Sequence, residues 1–169
     1  MHCIAAGYAH GRRSLSAAEA YAPQGVRVSV GKSRVHAVRR GSGPVLILIH
    51  GAGGTVRDYT VSLMDKLAQT HTVIAFDRPG HGYTDTIHDK GESPIEQARL
   101  LQAAAEQLGV TKATTLGDSI GGIVELAWAL GHPDNAHGHR LLCPRNPQWP
   151  GSASGPYCVV RQAVLRTGR

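Results

Sequence analysis

Acidic residues stop at Asp134, well before the end of this 169-residue chain. Residues 1–135 carry 13 Lys/Arg against 12 acids, whereas residues 136–169 carry Arg140, Arg145, Arg161, Arg166 and Arg169 and no acid. The net charge of +6 therefore belongs to the tail, and the rest of the chain gives little reason to expect nucleic-acid binding. Cysteine is scarce: Cys3, Cys143 and Cys158 are odd in number and far apart, which excludes a disulfide framework and a clustered metal site and makes a reducing, cytoplasmic setting the default. Aromatics make up 5%, so aliphatic side chains and alanine must fill the core. No run approaches the roughly 20 apolar residues of a membrane span, so no membrane association is expected. Met1–Ala22 lacks a basic-then-apolar secretory pattern, and residues 1–23 read as a poorly ordered segment.

From Val26 onward, strand and helix patterns alternate. Val26–Val30 and Arg34–Val38 alternate apolar with polar residues around Gly31, as a hairpin with one buried face does. Val45–Ile49 and Thr72–Phe76 are short apolar runs suited to strands covered on both faces. A helix is predicted over Val56–Ala68, with Tyr59, Leu63 and Leu67 on one face. Ser93-Pro94-Ile95-Glu96 has the form of a capping box with proline at the first helical position. Ile95, Ala98, Leu101, Ala105 and Leu108 then make an apolar face that ends at Gly109. A short strand at Ala113–Leu116 and an apolar helix over residues 120–130 follow, the helix closed by Gly131 and Pro133. Such alternation predicts an α/β fold with a mostly parallel central sheet, an N-terminal antiparallel hairpin and helices on both faces. Chemistry collects at the C-terminal strand ends of such sheets, where the loops at His50, Asp77 and Ser119 fall.

Three motifs sit there. Gly117-Asp118-Ser119-Ile120-Gly121 is a G-x-S-x-G run between a strand and a helix, the context of a nucleophile elbow. Its glycines have a steric reason, because side chains two positions either side of the serine would strike neighbouring backbone. A glycine-rich strand-to-helix turn with an idle serine would leave the same pattern. His50-Gly51-Ala52-Gly53-Gly54 lets backbone approach a ligand, with the N–H near Ala52 able to face an oxyanion. It lacks the endings of a phosphate-binding loop. Asp77-Arg78-Pro79-Gly80-His81-Gly82 reads as a rigid turn that shapes the rim, with His81 structural rather than catalytic.

In this order and spacing the motifs resemble the α/β-hydrolase superfamily over residues 24–135, its N-terminal part. The resemblance implies a serine hydrolase of the esterase, lipase or C–C hydrolase kind acting on a small ester-like molecule without cofactor or metal. Ser119 matches the nucleophile, and Ala52 and Ile120 match the oxyanion-hole donors, supported by His50, Gly51, Gly53, Gly117, Gly121, Asp77 and His81. Asp118 stands where many members have histidine, which puts a carboxylate beside the site. A dehalogenase would need aspartate at the apex, where this chain has Ser119.

A serine needs a base and an orienting acid, which in this family follow the elbow in the order acid, then histidine. After Ser119 the only acids are Glu125 and Asp134, and the later histidines are His137 and His139, too close behind Asp134 for the usual strand-end positions. Composition breaks at Asn135, and four of nine prolines fall beyond it. Residues 136–169 therefore read as an irregular basic tail, the product either of a shift of reading frame near Asn135 or of genuine divergence. On that reading the α/β-hydrolase-type sandwich is incomplete, and its last sheet edge is open to self-association. Three readings stand side by side: a serine hydrolase, a catalytically inactive fragment lacking acid and histidine, and a basic tail that binds an acidic partner.

Overall fold

The computed structural model describes residues 24–87 and 93–131, together with the backbone of 136–142. The elements are β1 (Val26–Val30), β2 (Ser33–Arg40), β3 (Val45–Ile49), α1 (Arg57–Thr60), α2 (Leu63–Leu67), β4 (Thr72–Phe76), α3 (Pro94–Gln107), β5 (Ala113–Asp118), α4 (Ile120–Gly131) and β6 (Ala136–Leu142). They form one six-stranded sheet in the order β1-β2-β4-β3-β5-β6. β1 and β2 form an antiparallel hairpin, and β2 is antiparallel to β4. From β4 outward every pairing is parallel.

Two-residue alternation divides the core between the sheet faces. Ile47, Ile49, Ile74 and Phe76 point to one side, where Ala98, Leu101, Ala104 and Ala105 of α3 and Val124 and Trp128 of α4 cover them. Leu46, Leu48, Val73 and Ala75 point to the other side, against Val56, Tyr59 and Met64. With both faces covered, β3 and the part of β4 after Thr72 are apolar throughout, which explains their runs. Each large aliphatic side chain buried here stabilises the fold by about 1.5–3 kcal/mol.

Local differences from the sequence reading have physical causes. The helix expected over Val56–Ala68 divides at Ser62, whose φ of −154° is not helical. The break changes the phase, so Met64 is buried and Leu63 is exposed. Ser93 precedes α3 without a side-chain capping bond, so the expected capping box is not made. Ile95 is exposed, while Gln97 and Gln102 are buried on α3.

The expected irregular tail does not begin at residue 136. Ala136–Leu142 pairs in parallel with β5, from Ala113↔Ala136 to Asp118↔Leu142, with a register shift between Ala113 and Thr114. Pairing of this kind uses backbone groups and tolerates varied side chains, and no proline falls between Pro133 and Pro144 to interrupt it. The edge of β5 expected to lie open is therefore occupied, and β6 is the outer strand. The expectations for residues 1–23 and 143–169 lie outside the described residues. Among the described residues no helix is long and apolar enough to cross a membrane.

Candidate active site

β5 ends at Asp118 and α4 begins at Ile120, so Ser119 is the single residue of the turn. Its φ is 53°, and it is the one non-glycine among the described residues in the left-handed region. An L-residue there costs about 1–2 kcal/mol, so the surroundings must impose the conformation. Close packing does so. A Cβ on Gly117 would collide with the Gly121 carbonyl and lie 2.6 Å from Gly122 Cα. A Cβ on Gly121 would collide with the Ile49 carbonyl and lie 2.5 Å from that of His50. The helix start is thereby pressed onto the end of β3, and the Gly122 N–H donates to the Ser119 carbonyl at 3.0 Å.

The loop after β3 lies against this turn. A Cβ built on Gly51 would fall 2.8 Å from Asp118 Oδ2 and 3.4 Å from Ser119 Cβ, so the loop packs directly against the elbow and a side chain there would displace the Asp118 carboxylate. Ala52 and Ile120 are both exposed beside it, and Gly53 takes a positive φ of 68°. Arg78 holds the loop from beneath. This buried guanidinium donates from Nε to the His50 carbonyl at 2.9 Å, from Nη2 to the Gly51 carbonyl at 2.9 Å, and from Nη1 to Gln97 Oε1 on α3 at 3.2 Å. The sequence assigns Arg78 no role beyond the rigid turn, and its one legible signal is its place two residues after the end of a buried strand, directly behind Asp77.

His50 is fully buried, and both of its ring nitrogens are engaged. Nδ1 faces the Gly51 carbonyl at 2.9 Å and so carries the proton, while Nε2 accepts the Arg78 backbone N–H at 2.9 Å. Burial, the dominant cause, and the nearby Arg78 charge lower its pKa to about 4 against the opposing bond to Gly51. His81 packs 5.3 Å from the His50 ring. Its Nδ1 bonds the Pro79 carbonyl at 3.1 Å, and its Nε2 faces Arg78 Nη2 at 3.4 Å.

Asp77 has no exposed surface and braces the same region. Oδ1 accepts the Val56 N–H at 2.8 Å, and Oδ2 accepts the Tyr83 N–H at 3.0 Å and meets His36 Nδ1 at 2.7 Å. The other nitrogen of His36 lies 2.6 Å from the Gln24 carbonyl. A Cβ on Gly82 would collide with the Asp77 carboxylate, so this glycine makes room for the brace. Burial alone would raise the Asp77 pKa, but the hydrogen bonds from His36, Val56 and Tyr83 outweigh it and hold the group below the usual carboxylate range.

Two further carboxylates reach this face. Asp118 Oδ2 lies over Gly51, and Asp58 Oδ2 lies where a Cβ on Gly54 would be. Burial first, and Asp58 second, raise the Asp118 pKa. The hydroxyl of Tyr59, a residue only 6% exposed, has no hydrogen-bond partner among the described residues. Burial and the fields of Asp118 and Asp58 raise its pKa.

The structure thus brings the His50, Asp77 and Ser119 loops together at the C-terminal ends of β3, β4 and β5. No imidazole is hydrogen-bonded to Ser119 among the described residues: His36, His50, His71 and His81 have their partners elsewhere. Glu125, on α4, is buried and accepts a hydrogen bond from Thr115 at 2.9 Å, so it faces β5 and not the elbow. A cavity of about 460 Å³ lies between β2 and α1, lined by residues including His36, Val38, Arg40, Val56 and Tyr83, and contains none of the elbow residues. Among the described residues no three His, Cys, Asp or Glu side chains are grouped to hold a metal ion.

Comparison with known proteins agrees with this architecture. Residues 44–155 match the model of the alpha/beta hydrolase fold family, a match that runs past the composition break at Asn135. The chain is 29% identical over 119 residues to the uncharacterized hydrolase YraK of Bacillus subtilis, covering 68% of this chain and 41% of that protein. It is 30% identical over 104 residues to a 2-hydroxy-6-oxo-6-phenylhexa-2,4-dienoate hydrolase of Burkholderia cepacia, covering 60% of this chain and 36% of that one. A solved structure of an N-acyl homoserine lactone degrading enzyme superposes with a TM-score of 0.64 at 27% identity, covering 69% of this chain and 44% of the other. The chain therefore spans well under half the length of these relatives, and with a family match over most of its length it belongs to the α/β-hydrolase fold family.

Proposed function

We propose that this chain carries the nucleophile-bearing part of a serine hydrolase, acting in the cytoplasm on a small molecule with an ester, thioester or related carbonyl. In this reading Ser119 Oγ attacks the carbonyl, and the backbone N–H groups of Ala52 and Ile120 receive the oxyanion. The observation that carries the reading is the left-handed backbone of Ser119, held at φ 53° between a strand end and a helix start. Strain of that kind is retained where the surroundings over-determine it, and it commonly marks a functional position. The close approach of Gly51 to the serine supports placing the oxyanion donors in the adjoining loop. The 2-hydroxy-6-oxo-6-phenylhexa-2,4-dienoate named for the Burkholderia cepacia relative carries, in its 6-oxo group, a carbonyl of the kind such a site could attack.

A second reading, a catalytically inactive piece of a hydrolase, is favoured by one observation. Among the described residues no histidine is hydrogen-bonded to Ser119, and both ring nitrogens of His50, on the adjoining loop, are engaged with backbone. Labelling with a fluorophosphonate probe, followed by intact-mass measurement, separates the two. Stoichiometric labelling that vanishes in Ser119→Ala supports the nucleophile. A folded chain that stays unlabelled supports the inactive piece.

A further inference from the structure

We propose that the cavity between β2 and α1 is a second ligand site, built for a small carboxylate with an apolar body. It contains none of the elbow residues, so it goes beyond the hydrolase reading and does not depend on it.

Shape carries the first part. The cavity holds about 460 Å³, within the roughly 300–1,000 Å³ of small-molecule sites. Alternation along β2 puts His36, Val38 and Arg40 in one row facing it, and the start of α1 and Tyr83 close it from other parts of the chain. Val38 and Val56 are buried and give it apolar walls, whereas Val61 is 83% exposed and stands at its mouth. Apolar walls with a few placed polar groups are the usual make-up of a small-molecule pocket.

The second part is the kind of polar group. The lining holds two guanidinium groups, Arg40 and Arg57, and none of its residues is acidic. Arg40 is fixed in place: Nη1 donates to the Thr60 carbonyl at 3.2 Å and to Asp65 at 2.7 Å, and Nη2 donates to Gln24 Oε1 at 3.2 Å. Asp65 thus partners Arg40 from outside the lining. These bonds leave Nε and the second N–H of Nη2 to face an incoming acceptor among the described residues. A planar carboxylate matches the fork of a guanidinium, whereas an ammonium would meet two cations.

The third part is what the cavity touches. His36, Val56 and Tyr83 all line it, and they are the three residues whose nitrogens converge on Asp77. An occupant therefore packs against the group of residues that braces the loops after β3 and β4.

NMR titration of the full chain tests this, with benzoate, benzyl alcohol and benzylammonium as probes at pH 7. Benzoate should bind tightest and benzylammonium weakest, with shifts in the methyl signals of Val38, Val56 and Val61. Arg57→Gln, at an exposed position, should weaken benzoate by about fivefold, the low end of what a bond to a charged group contributes. Arg40→Gln/Arg57→Gln should abolish the preference for the anion. Val61→Trp, which fills the mouth without touching the buried walls, should block all three probes. Benzoate should also raise the urea midpoint of the unaltered chain as its concentration rises, because it binds the folded form alone. No shift at the three valines, equal binding of benzoate and benzylammonium, or binding that survives Val61→Trp unchanged overturns the site. Fluorophosphonate labelling reports separately on Ser119, so the two readings stand or fall independently.

Discussion

Replacing Asp77 with alanine removes one carboxylate that three donors share. His36 Nδ1, the Val56 N–H and the Tyr83 N–H converge on it within 2.7–3.0 Å, from β2, the start of α1 and the loop after β4. Both members of the His36–Asp77 pair are essentially inaccessible to solvent, with side-chain exposures of 1% and 0%. Water cannot take over the lost bonds without opening the structure. Each orphaned buried donor costs about 1–3 kcal/mol. These costs overlap, so Asp77→Ala should lose about 4 kcal/mol. That is a large share of the roughly 5–15 kcal/mol that holds an ordinary domain together. With a urea slope of about 2 kcal/mol per molar, the midpoint falls by about 2 M. Asp77→Asn keeps the shape and some acceptor capacity and should lose less. The sign of the pH dependence follows from the lowered pKa. The stabilisation is present above the ordinary carboxylate pKa of about 3.9 and is lost as pH falls through the lower folded value. The gap between the unaltered chain and Asp77→Asn should therefore narrow in strong acid. Circular dichroism during urea unfolding measures both effects, and a cycle with His36→Ala isolates the pair. A loss under about 1 kcal/mol at pH 7, or a coupling under about 0.5 kcal/mol, would refute the idea that this brace holds the loops.

Ser119→Gly should be more stable than Ser119→Ala by about 1 kcal/mol, since glycine adopts the 53° φ without a Cβ clash; equal urea midpoints would mean the strain is absent. Gly121→Ala should cost more than about 3 kcal/mol or prevent folding, because its Cβ meets the fixed carbonyls of Ile49 and His50; a near-native midpoint would contradict the packing described for the elbow. His50, lowered to about 4, binds its proton later than in the unfolded chain, so stability should fall with pH from about 6.5 to about 4, by up to about 1.4 kcal/mol per pH unit. His50→Gln should flatten that slope, and an unchanged slope would place the cause elsewhere.

The backbone plan was legible because the sheet core obeys a two-residue period with almost no polar interruption. β1, β3 and β4 fall where the apolar patterns put them, and the glycines at 117 and 121 announce the tight turn between β5 and α4. Less was legible where a polar residue is buried through partners distant in sequence. His36 occupies an ordinary strand position, and nothing local marks it as the partner of Asp77, 41 residues away. Arg78 looks like a surface loop residue until the fold places the carbonyls of His50 and Gly51 around it. β6 carries little sequence signal, because an edge strand needs backbone groups and freedom from proline more than it needs an apolar pattern.

What holds Ser119 in place and what would activate it are separate in this chain. The pose of the serine depends on contacts among β3, β5 and the first turn of α4: Gly117 against Gly121, Gly121 against Ile49 and His50, Gly51 against Asp118. Arg78 and the His36–Asp77 pair then fix the β3 and β4 loops from behind, using hydrogen bonds that engage the rings of His36 and His50. The buried polar groups thus build a rigid frame without supplying a proton acceptor. On the nucleophile reading, a base for Ser119 would come from residues outside that frame, whereas the backbone pose of the serine is set by the frame itself. Changes in the frame should therefore appear first in stability, and changes in the base should appear in reactivity with stability unaltered.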